Sequence, residues 1–444
     1  MTRTSRFRWG RFPSEHAVAW CLVLLYAASA AGIQQLGESQ PTTHEARPAP
    51  GISVHSLVDA SIQASPDLGA MRREYDAARA RIPQAKALPD PVLSIGNMTV
   101  SNPVPFAGFG YDFSETNVGV MQDVPWFGIR RLREQAAESD ADAVLEQYNA
   151  GVRTLTLDVK MTAFELYAAD RKLAVIKRDL DILDKFAQIA EARYSVGKAQ
   201  QVDVINARLE YTDLLNEQGE TQVERTTLEA RLNTLMFRAP ETPIPSLSMP
   251  EANPTPPKLD ELYAQAEEGS PELREQRRMI DASNHRLRLA EREAKYPMVG
   301  FSFSYHNQPG FPDYYSYGVT FTLPLYAASK QRYGIAEKSA ELAAAQARLA
   351  STEAAVRRAL RDAHLRATNA ARLLALHEQG LVPQATLALE SSLSAYQVGE
   401  VDFLTVLTAL KKALDYETHY YELQAEYLSA LANFEAVTGL ELMR

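Results

Sequence analysis

Side chains able to do covalent or metal chemistry are few and scattered in this chain of 444 residues. The phosphate-loop, zinc-protease, dithiol and nucleophile-elbow patterns (G-x-x-x-x-G-K-[ST], H-E-x-x-H, C-x-x-C, G-x-S-x-G) do not occur in it. Its one cysteine is Cys21. The histidines beyond the N-terminus do not fall at metal-ligand spacing from one another: His44, His55, His285, His306, His364, His377 and His419. We therefore expect no enzyme activity, no cofactor and no metal site.

The N-terminus predicts an exported protein. Four arginines precede a short apolar run over 17–28, and the small residues at 28–30 form a cleavage site. Residues 1–30 are thus a predicted signal peptide, with an uncleaved anchor as the alternative. Lipidation of Cys21 is disfavoured because the bulky Trp20 precedes it. The net charge of −10 argues against a nucleic-acid-binding surface, which needs a basic stripe.

The chain contains a tandem repeat of one sequence unit. Four patterns recur in the same order about 200 residues later: Ser65-Pro66-Asp67-Leu68 as Ser270-Pro271-Glu272-Leu273, Pro91 as Pro297, Gly119-Val120 as Gly318-Val319, and Tyr194-Ser195-Val196-Gly197 as Tyr396-Gln397-Val398-Gly399. Because order and spacing are both kept, we interpret the chain as a duplicated domain. The predicted divisions after the signal peptide are an extended segment 31–52, a first repeat 53–238, a Pro-rich linker 239–258 and a second repeat 259–444.

Each repeat predicts the same elements in the same order. A helix begins with a Ser N-cap followed by Pro, two strands come next, and a very long helix, a Gly-containing turn and a shorter returning helix complete the unit. The predicted helices are 67–88, 129–196 and 203–238, then 271–296, 327–396 and 405–438; the predicted strands are 92–100, 113–124, 298–306 and 314–323. Gly334, Gly380 and Pro383 are possible bends in the second long helix.

The strands have the length that crosses a bilayer when tilted. In strand 298–306, aromatic side chains alternate with glycine and serine. A soluble hairpin also alternates and is the alternative interpretation. The long helix 129–196 would extend about 100 Å, and the two shorter helices of its repeat, placed end to end, would match that length. The break between them is expected near the Pro-rich linker.

Four strands cannot close a barrel, and an open sheet in lipid leaves its edge N–H and C=O groups unpaired. Two copies would give eight strands with a filled interior, whereas three copies give twelve strands around a lumen. The predicted fold class is therefore α+β. It is a trimeric 12-stranded transmembrane β-barrel, four strands per chain, continuous with a long α-helical periplasmic barrel built from a tandem repeat.

With these features, the duplicated plan, the Leu88-Pro89-Asp90-Pro91 segment and the two Tyr-x-Val-Gly turns, the chain resembles the TolC-type outer-membrane efflux proteins over essentially its whole mature length. The resemblance implies a homotrimer in the lipid of a Gram-negative outer membrane, with a tunnel through the periplasm. It also implies two protein partners, a periplasmic adaptor (membrane fusion protein) and an inner-membrane pump of the RND type. The implied function is a passive exit duct for small molecules or metal ions.

Two alternatives remain open at this point. The same duct could export polypeptides as part of a type I secretion system. A periplasmic coiled-coil scaffold or adaptor is the alternative from another class, but it has no use for four strands of membrane length.

The resemblance also implies that the two helical turns form the closed periplasmic entrance and contact the adaptor. The residues concerned are Tyr194, Val196, Gly197, Asp203 and Asn206 in the first repeat, and Tyr396, Val398, Gly399, Glu400, Asp402, Thr405 and Thr408 in the second. Thr405 and Thr408 stand where the family has carboxylates, which Glu400 and Asp402 would have to replace. By the same resemblance, Asp203 would hydrogen-bond Tyr396 of a neighbouring helix pair and help hold the entrance shut. As alternatives, Asp203 caps its helix and the residues at the tips only make turns.

Overall fold

The computed structural model of the protein describes residues 52–98, 114–250, 252–323 and 325–443. The predicted signal peptide lies outside these ranges, as does the predicted extended segment up to residue 51. In the described part of the chain, no helix is both long and apolar enough to cross a membrane.

The described chain is mostly helical, with a sheet of four strands and a separate parallel pair of two short strands. The helices are α1 Val54–Ala64, α2 Pro66–Lys86, α3 Ile129–Ser195, α4 Gln201–Leu235, α5 Leu259–Gly269, α6 Pro271–Lys295, α7 Arg332–Leu376, α8 Val382–Val398 and α9 Phe403–Thr438. The strands are β1 Ile52–Ser53, β2 Val92–Met98, β3 Glu115–Val124, β4 Leu247–Ser248, β5 Met298–Asn307 and β6 Tyr314–Thr322.

A serine followed by proline begins α2 and α6. Ser65 accepts a hydrogen bond from the Leu68 N–H at 3.2 Å, and Ser270 accepts one from Leu273 at 3.4 Å. Each serine also ends a helix of 11 residues, α1 or α5, which the sequence analysis missed. The residue before a proline disfavours the helical conformation, so the Ser-Pro pair is also the end signal of a preceding helix.

The predicted long helix 327–396 is not one regular α-helix. One π-helical turn, Ala327–Gln331, begins it, and a second, His377–Leu381, interrupts it and leaves α7 and α8 as separate segments. Gly380 lies within the second turn and Pro383 follows it, whereas Gly334 lies in regular helix. Proline lacks an N–H, and its ring clashes with the carbonyl four residues earlier, which a wider turn relieves.

Short helices stack end to end along α3. On one side α2 contacts the first half of α3 and α4 contacts the second half, and on the other side α6 and α9 divide α3 in the same way. Lys86 of α2 pairs with Glu134 at 2.6 Å, near the start of α3, and Arg208 of α4 pairs with Glu191 near its end. The helices α7 and α8, which follow each other along one line, pack on α6 and α9. They form the outermost row of helices on the α6–α9 side of α3.

The side chain of Arg153 in α3 bridges the break between the stacked helices. Arg153 of α3 donates to the carbonyl of Gly269 at 2.8 Å and to that of Ala436 at 3.3 Å, at the C-terminal ends of α5 and α9. A cation stabilises helix C-termini. Beside it, α1, β1 and β4 share a buried cluster with α3, whose members include Val159 and Phe164. The Pro-rich segment that contains β4 therefore lies at this junction.

The four-stranded sheet is antiparallel in the order β2-β3-β5-β6, so β2 and β6 are its two free edges among the residues that the structure describes. The register places Leu93 opposite Val120 and Phe303 opposite Tyr317. One face is apolar and exposed, carrying Leu93, Ile95, Val118, Val120, Phe301, Phe303, Tyr317, Val319 and Phe321. The other face carries glycine and small polar residues, including Ser94, Gly119, Ser302, Ser304, Ser316 and Gly318.

The small-residue face is crowded. A Cβ added to Gly119 would lie 2.4 Å from Ser304 Oγ, and one added to Gly318 would lie 2.5 Å from Ser302 Oγ. Glycines at such positions allow a sheet to curve, which is what a barrel wall requires.

Asp179 of α3 is a buried carboxylate with an expected pH effect. Its side chain is 1% exposed, and only Oδ1 is bonded, accepting from Arg178 Nε at 2.9 Å. Burial raises the pKa of Asp179 above its ordinary value, although the charge of Arg178 opposes the shift. A raised pKa in the folded chain means that the fold favours the protonated acid. The contribution to stability is therefore present below the ordinary pKa and is lost as the pH rises through the raised one.

We predict that Asp179→Asn raises the thermal unfolding temperature at pH 8, because a neutral amide avoids the cost of burying the charge. The gain should shrink as the pH is lowered into the acidic range, through the raised pKa of Asp179, because its carboxyl then becomes neutral. Thermal unfolding followed by circular dichroism across this pH range measures both effects. A variant less stable than the wild type at pH 8 would contradict the prediction.

Candidate functional site

Two turns with the same hydrogen bonding connect α3 to α4 and α8 to α9; we call them the first tip and the second tip. In the first tip Gly197 has a φ of 73°. The Gly197 N–H donates to the Tyr194 carbonyl at 2.9 Å, and the Lys198 N–H donates to the Arg193 backbone carbonyl at 2.8 Å. In the second, Gly399 has φ of 86° and donates to the Tyr396 carbonyl at 3.1 Å. This is the helix C-terminal motif that favours glycine.

The two tips differ in what they expose. Tyr194 is 45% exposed, whereas its counterpart Tyr396 is 2% exposed. Val196 and Val398 are both largely exposed, at 66% and 73%. The first tip therefore presents both a tyrosine and a valine to its surroundings, and the second presents the valine alone.

Tyr396 is held in an aromatic cluster. Its ring centre lies 6.3 Å from that of Phe186 in α3 and 5.9 Å from that of Phe403 in α9. The guanidinium of Arg193 lies 4.7 Å above the same ring and donates a hydrogen bond to the Tyr396 carbonyl. Such a cation over an aromatic face is attracted by the ring quadrupole.

Arg193 joins the two tips, and the sequence analysis did not single it out. It belongs to the last turn of α3, while its partner Tyr396 ends α8. A Cβ on Gly399 would lie 3.1 Å from Arg193 Nη2, so the glycine also leaves room for the guanidinium. A basic residue in the last turn of a helix is a weak signal of C-terminal stabilisation and does not identify a distant partner.

Asp203 caps α4 and does not bond Tyr396. The Asp203 carboxylate accepts from the Gln200 N–H at 3.2 Å, completing a capping box. The Tyr396 hydroxyl is buried without a hydrogen-bond partner among the described residues. In the single chain the Asp203 carboxylate turns back onto its own helix. The Asp203–Tyr396 hydrogen bond was expected between neighbouring helix pairs and stays a prediction. Burial, and then the charge of Asp203, raise the pKa of Tyr396.

We predict that Tyr396→Phe leaves the packing of the two tips unchanged, because the hydroxyl that it removes has no partner among the described residues and the ring contacts remain. Conductance in planar bilayers should match that of the wild type, and the unfolding temperature should be equal or slightly higher. A leakier Tyr396→Phe variant would show that the hydroxyl bonds a group outside the single chain.

The remaining predicted residues lie on or next to the tips. Asp402 caps α9 by accepting from the Thr405 N–H at 2.9 Å and from the Thr405 hydroxyl. These bonds, the hydroxyl one first, lower the pKa of Asp402, so its carboxylate stays charged at mildly acidic pH. Glu400 and Thr408 are exposed, and Asn206 is half-buried on the first turns of α4. The second tip thus keeps two exposed carboxylates, Glu400 and Asp402, although neither occupies the position that the resemblance implied.

The sequence matches one family profile twice. The profile is that of the outer membrane efflux proteins, and the matched residues are 57–236 and 262–440. A search of curated protein sequences found no match to the chain.

Solved outer-membrane channels share the fold at low sequence identity. The outer membrane protein VceC from Vibrio cholerae is 18% identical with a TM-score of 0.72, covering 87% of this chain and 96% of its own. CusC, described in terms of transmembrane channel formation, is 15% identical with a TM-score of 0.74, covering 87% and 91%. The open state of the MtrE outer membrane channel from Neisseria gonorrhoeae is 15% identical with a TM-score of 0.71, covering 87% and 88%.

Proposed function

Because the chain belongs to the outer membrane efflux protein family, we propose that three copies form one closed channel that serves as the exit duct of a tripartite efflux pump. The family is one of Gram-negative outer-membrane channels that extend into the periplasm, and its members are not enzymes. The proposal concerns the finer points: the number of chains, the cargo, the protein partners and the role of the tips.

The observation that carries the proposal is a four-stranded sheet whose two edge strands are unpaired among the described residues. Its four strands end in two free edges, β2 and β6, and its outer face is a continuous exposed apolar surface. In lipid each unpaired backbone group costs several kcal/mol, so β2 of one chain must pair with β6 of the next. Twelve strands leave a lumen, whereas eight would be filled by side chains.

The helical part also supports the joining of neighbouring chains, because the outermost helices on both of its sides expose apolar side chains. On one edge α4 exposes Val202, Ile205, Leu209, Leu215 and Val223, and on the other edge the α7–α8 run exposes Leu365, Leu376 and Leu387. Rows of this kind on a long helix are typical of packing against another helix. When β2 meets β6 of the next chain, these two helical edges face each other as well.

The tips are proposed as the periplasmic entrance and the adaptor contact. Val196, Val398 and Tyr194 are exposed apolar side chains at the end of the rod, suited to contact a partner protein. Glu400 and Asp402 would surround the opening with negative charge and favour cations. The cargo proposed for the duct is small molecules or metal ions, delivered by a periplasmic adaptor and an inner-membrane pump.

Insertion of the purified, signal-cleaved protein into planar lipid bilayers tests this function. We expect discrete conductance steps of one size, and recovery of the native protein in the outer-membrane fraction of cells. Recovery as a soluble periplasmic monomer without conductance would overturn the proposal. Loss of resistance to small toxic compounds in a deletion strain, with secreted polypeptides unaffected, is the result expected for the proposed cargo.

A further inference from the structure

The π-helical turn His377–Leu381 brings two histidines together on neighbouring helices. The ring of His377 is 5.2 Å from that of His419 in α9, at an interplanar angle of 61°. His377 is 5% exposed, while the His419 side chain is 51% exposed. The pair therefore consists of one buried imidazole and one half-exposed imidazole.

Each imidazole has one nitrogen engaged, and the other has no hydrogen bond within the part of the chain that the structure describes. His377 Nδ1 lies 2.9 Å from the Leu373 carbonyl, which fixes the proton on Nδ1 and leaves a lone pair on Nε2. His419 Nδ1 lies 3.3 Å from Glu422 Oε2 and leaves Nε2 in the same state. Orientation of one ring nitrogen by a carbonyl or carboxylate is the usual second shell of a metal-binding histidine.

The separation of the rings suits chelation. With metal–nitrogen bonds of about 2.1 Å and a roughly tetrahedral angle, two chelating imidazoles have ring centres about 5 Å apart. The observed 5.2 Å agrees with this. By contrast, His306 has Glu115 on one ring nitrogen and Ser316 on the other, so neither nitrogen is free.

The groove that begins at Glu422 favours cations. It has a volume of about 550 Å³ and is lined by α3, α4, α7 and α9; Glu422 is one turn from His419, and neither histidine lines the groove itself. Five carboxylates line the groove against two basic side chains; they are Glu165, Glu224, Asp362, Glu422 and Glu426. This excess of negative charge raises the local concentration of cations.

We propose that His377 and His419 form a two-imidazole site for a divalent transition-metal ion, with Glu422 as the residue that orients His419. Imidazole suits Zn²⁺, Cu²⁺ and Ni²⁺. In the described part of the chain, no three His, Cys, Asp or Glu side chains gather in an arrangement that would hold a metal. Water therefore completes the coordination, and the ion binds reversibly. Binding needs only the folded chain, so it stands or falls independently of the channel proposal.

Copper titration of the purified full chain, prepared without a histidine tag, tests the site. We expect one saturable Cu²⁺ per chain and an electron paramagnetic resonance spectrum with two nitrogen donors. His419→Gln, a change at a half-exposed position, should raise the Kd at least tenfold and remove one nitrogen coupling. Glu422→Gln should raise the Kd by about tenfold, the usual effect of removing an orienting partner.

The matched control is His55→Gln, which removes an exposed histidine on α1 that pairs with Asp59 on its own helix. It should leave the Kd and the spectrum unchanged. His377→Gln covers the buried position, and thermal unfolding of each variant shows whether it is folded. Absence of saturable binding, or binding that the His419→Gln and His377→Gln variants retain in folded form, would overturn the proposal.

Discussion

Replacing Arg193 by alanine is expected to open the entrance. The change removes the hydrogen bond to the Tyr396 carbonyl and the cation above the Tyr396 ring, the contacts that join the first tip to the second. A hydrogen bond from a charged donor contributes about 1.5–3 kcal/mol, so the open population should rise about tenfold or more. Single-channel recording in planar bilayers would measure it, as would the sensitivity of cells to large antibiotics.

Arg208→Ala is the control for this prediction. It removes the same charge near the same end of the rod, but Arg208 pairs with Glu191 at 3.3 Å where both side chains are largely exposed. Such surface pairs contribute about 0–1 kcal/mol. Equal conductance changes in the two variants would mean that charge, and not the Arg193–Tyr396 contact, controls opening.

Gly269→Ala is expected to have the largest effect on stability. Gly269 ends α5, and a Cβ added to it would lie 2.0 Å from the backbone carbonyl oxygen of Thr438 in α9. Moving the two backbones apart would cost the hydrogen bonds from Arg153 to the Gly269 carbonyl and to the nearby end of α9. We expect a loss of more than about 3 kcal/mol, visible as a lower unfolding temperature and less protein in the outer membrane.

Gly69→Ala is the matched comparison, since Gly69 lies in α2 and, among the described residues, no atom beyond the adjacent residues and the nearby backbone of its own helix lies within 4 Å of the added Cβ. Alanine favours helix over glycine by about 1 kcal/mol, so this variant should be as stable as the wild type or slightly more so. Similar unfolding temperatures for Gly269→Ala and the wild type would refute the tight α5–α9 contact.

Local rules explain what could be predicted from the sequence. Ser65-Pro66 and Ser270-Pro271 mark helix starts because a cap and a first-turn proline act within four residues. Gly197 and Gly399 mark the tips because a positive φ favours glycine wherever it occurs. The alternation in the strands likewise gave the two faces of the sheet.

The features that were missed depend on contacts between distant residues. Arg193 was overlooked because Tyr396, its partner, belongs to the other repeat. His377 and His419 were dismissed as scattered because a π-helical turn and helix packing, not sequence spacing, bring them together. Asp203 was assigned a partner by resemblance, whereas the nearer Gln200 N–H takes its carboxylate. The short helix α1 was missed because the Ser65-Pro66 pair that ends it was interpreted only as the start of α2.

The subunit number tests the central claim most directly. The free edges β2 and β6 and the apolar lanes at both sides of the helical rod are expected to be covered only by neighbouring copies. Native mass spectrometry of the detergent-extracted protein should give a particle of three chains and no smaller stable species. A particle of one, two or four chains would contradict the shared twelve-stranded barrel.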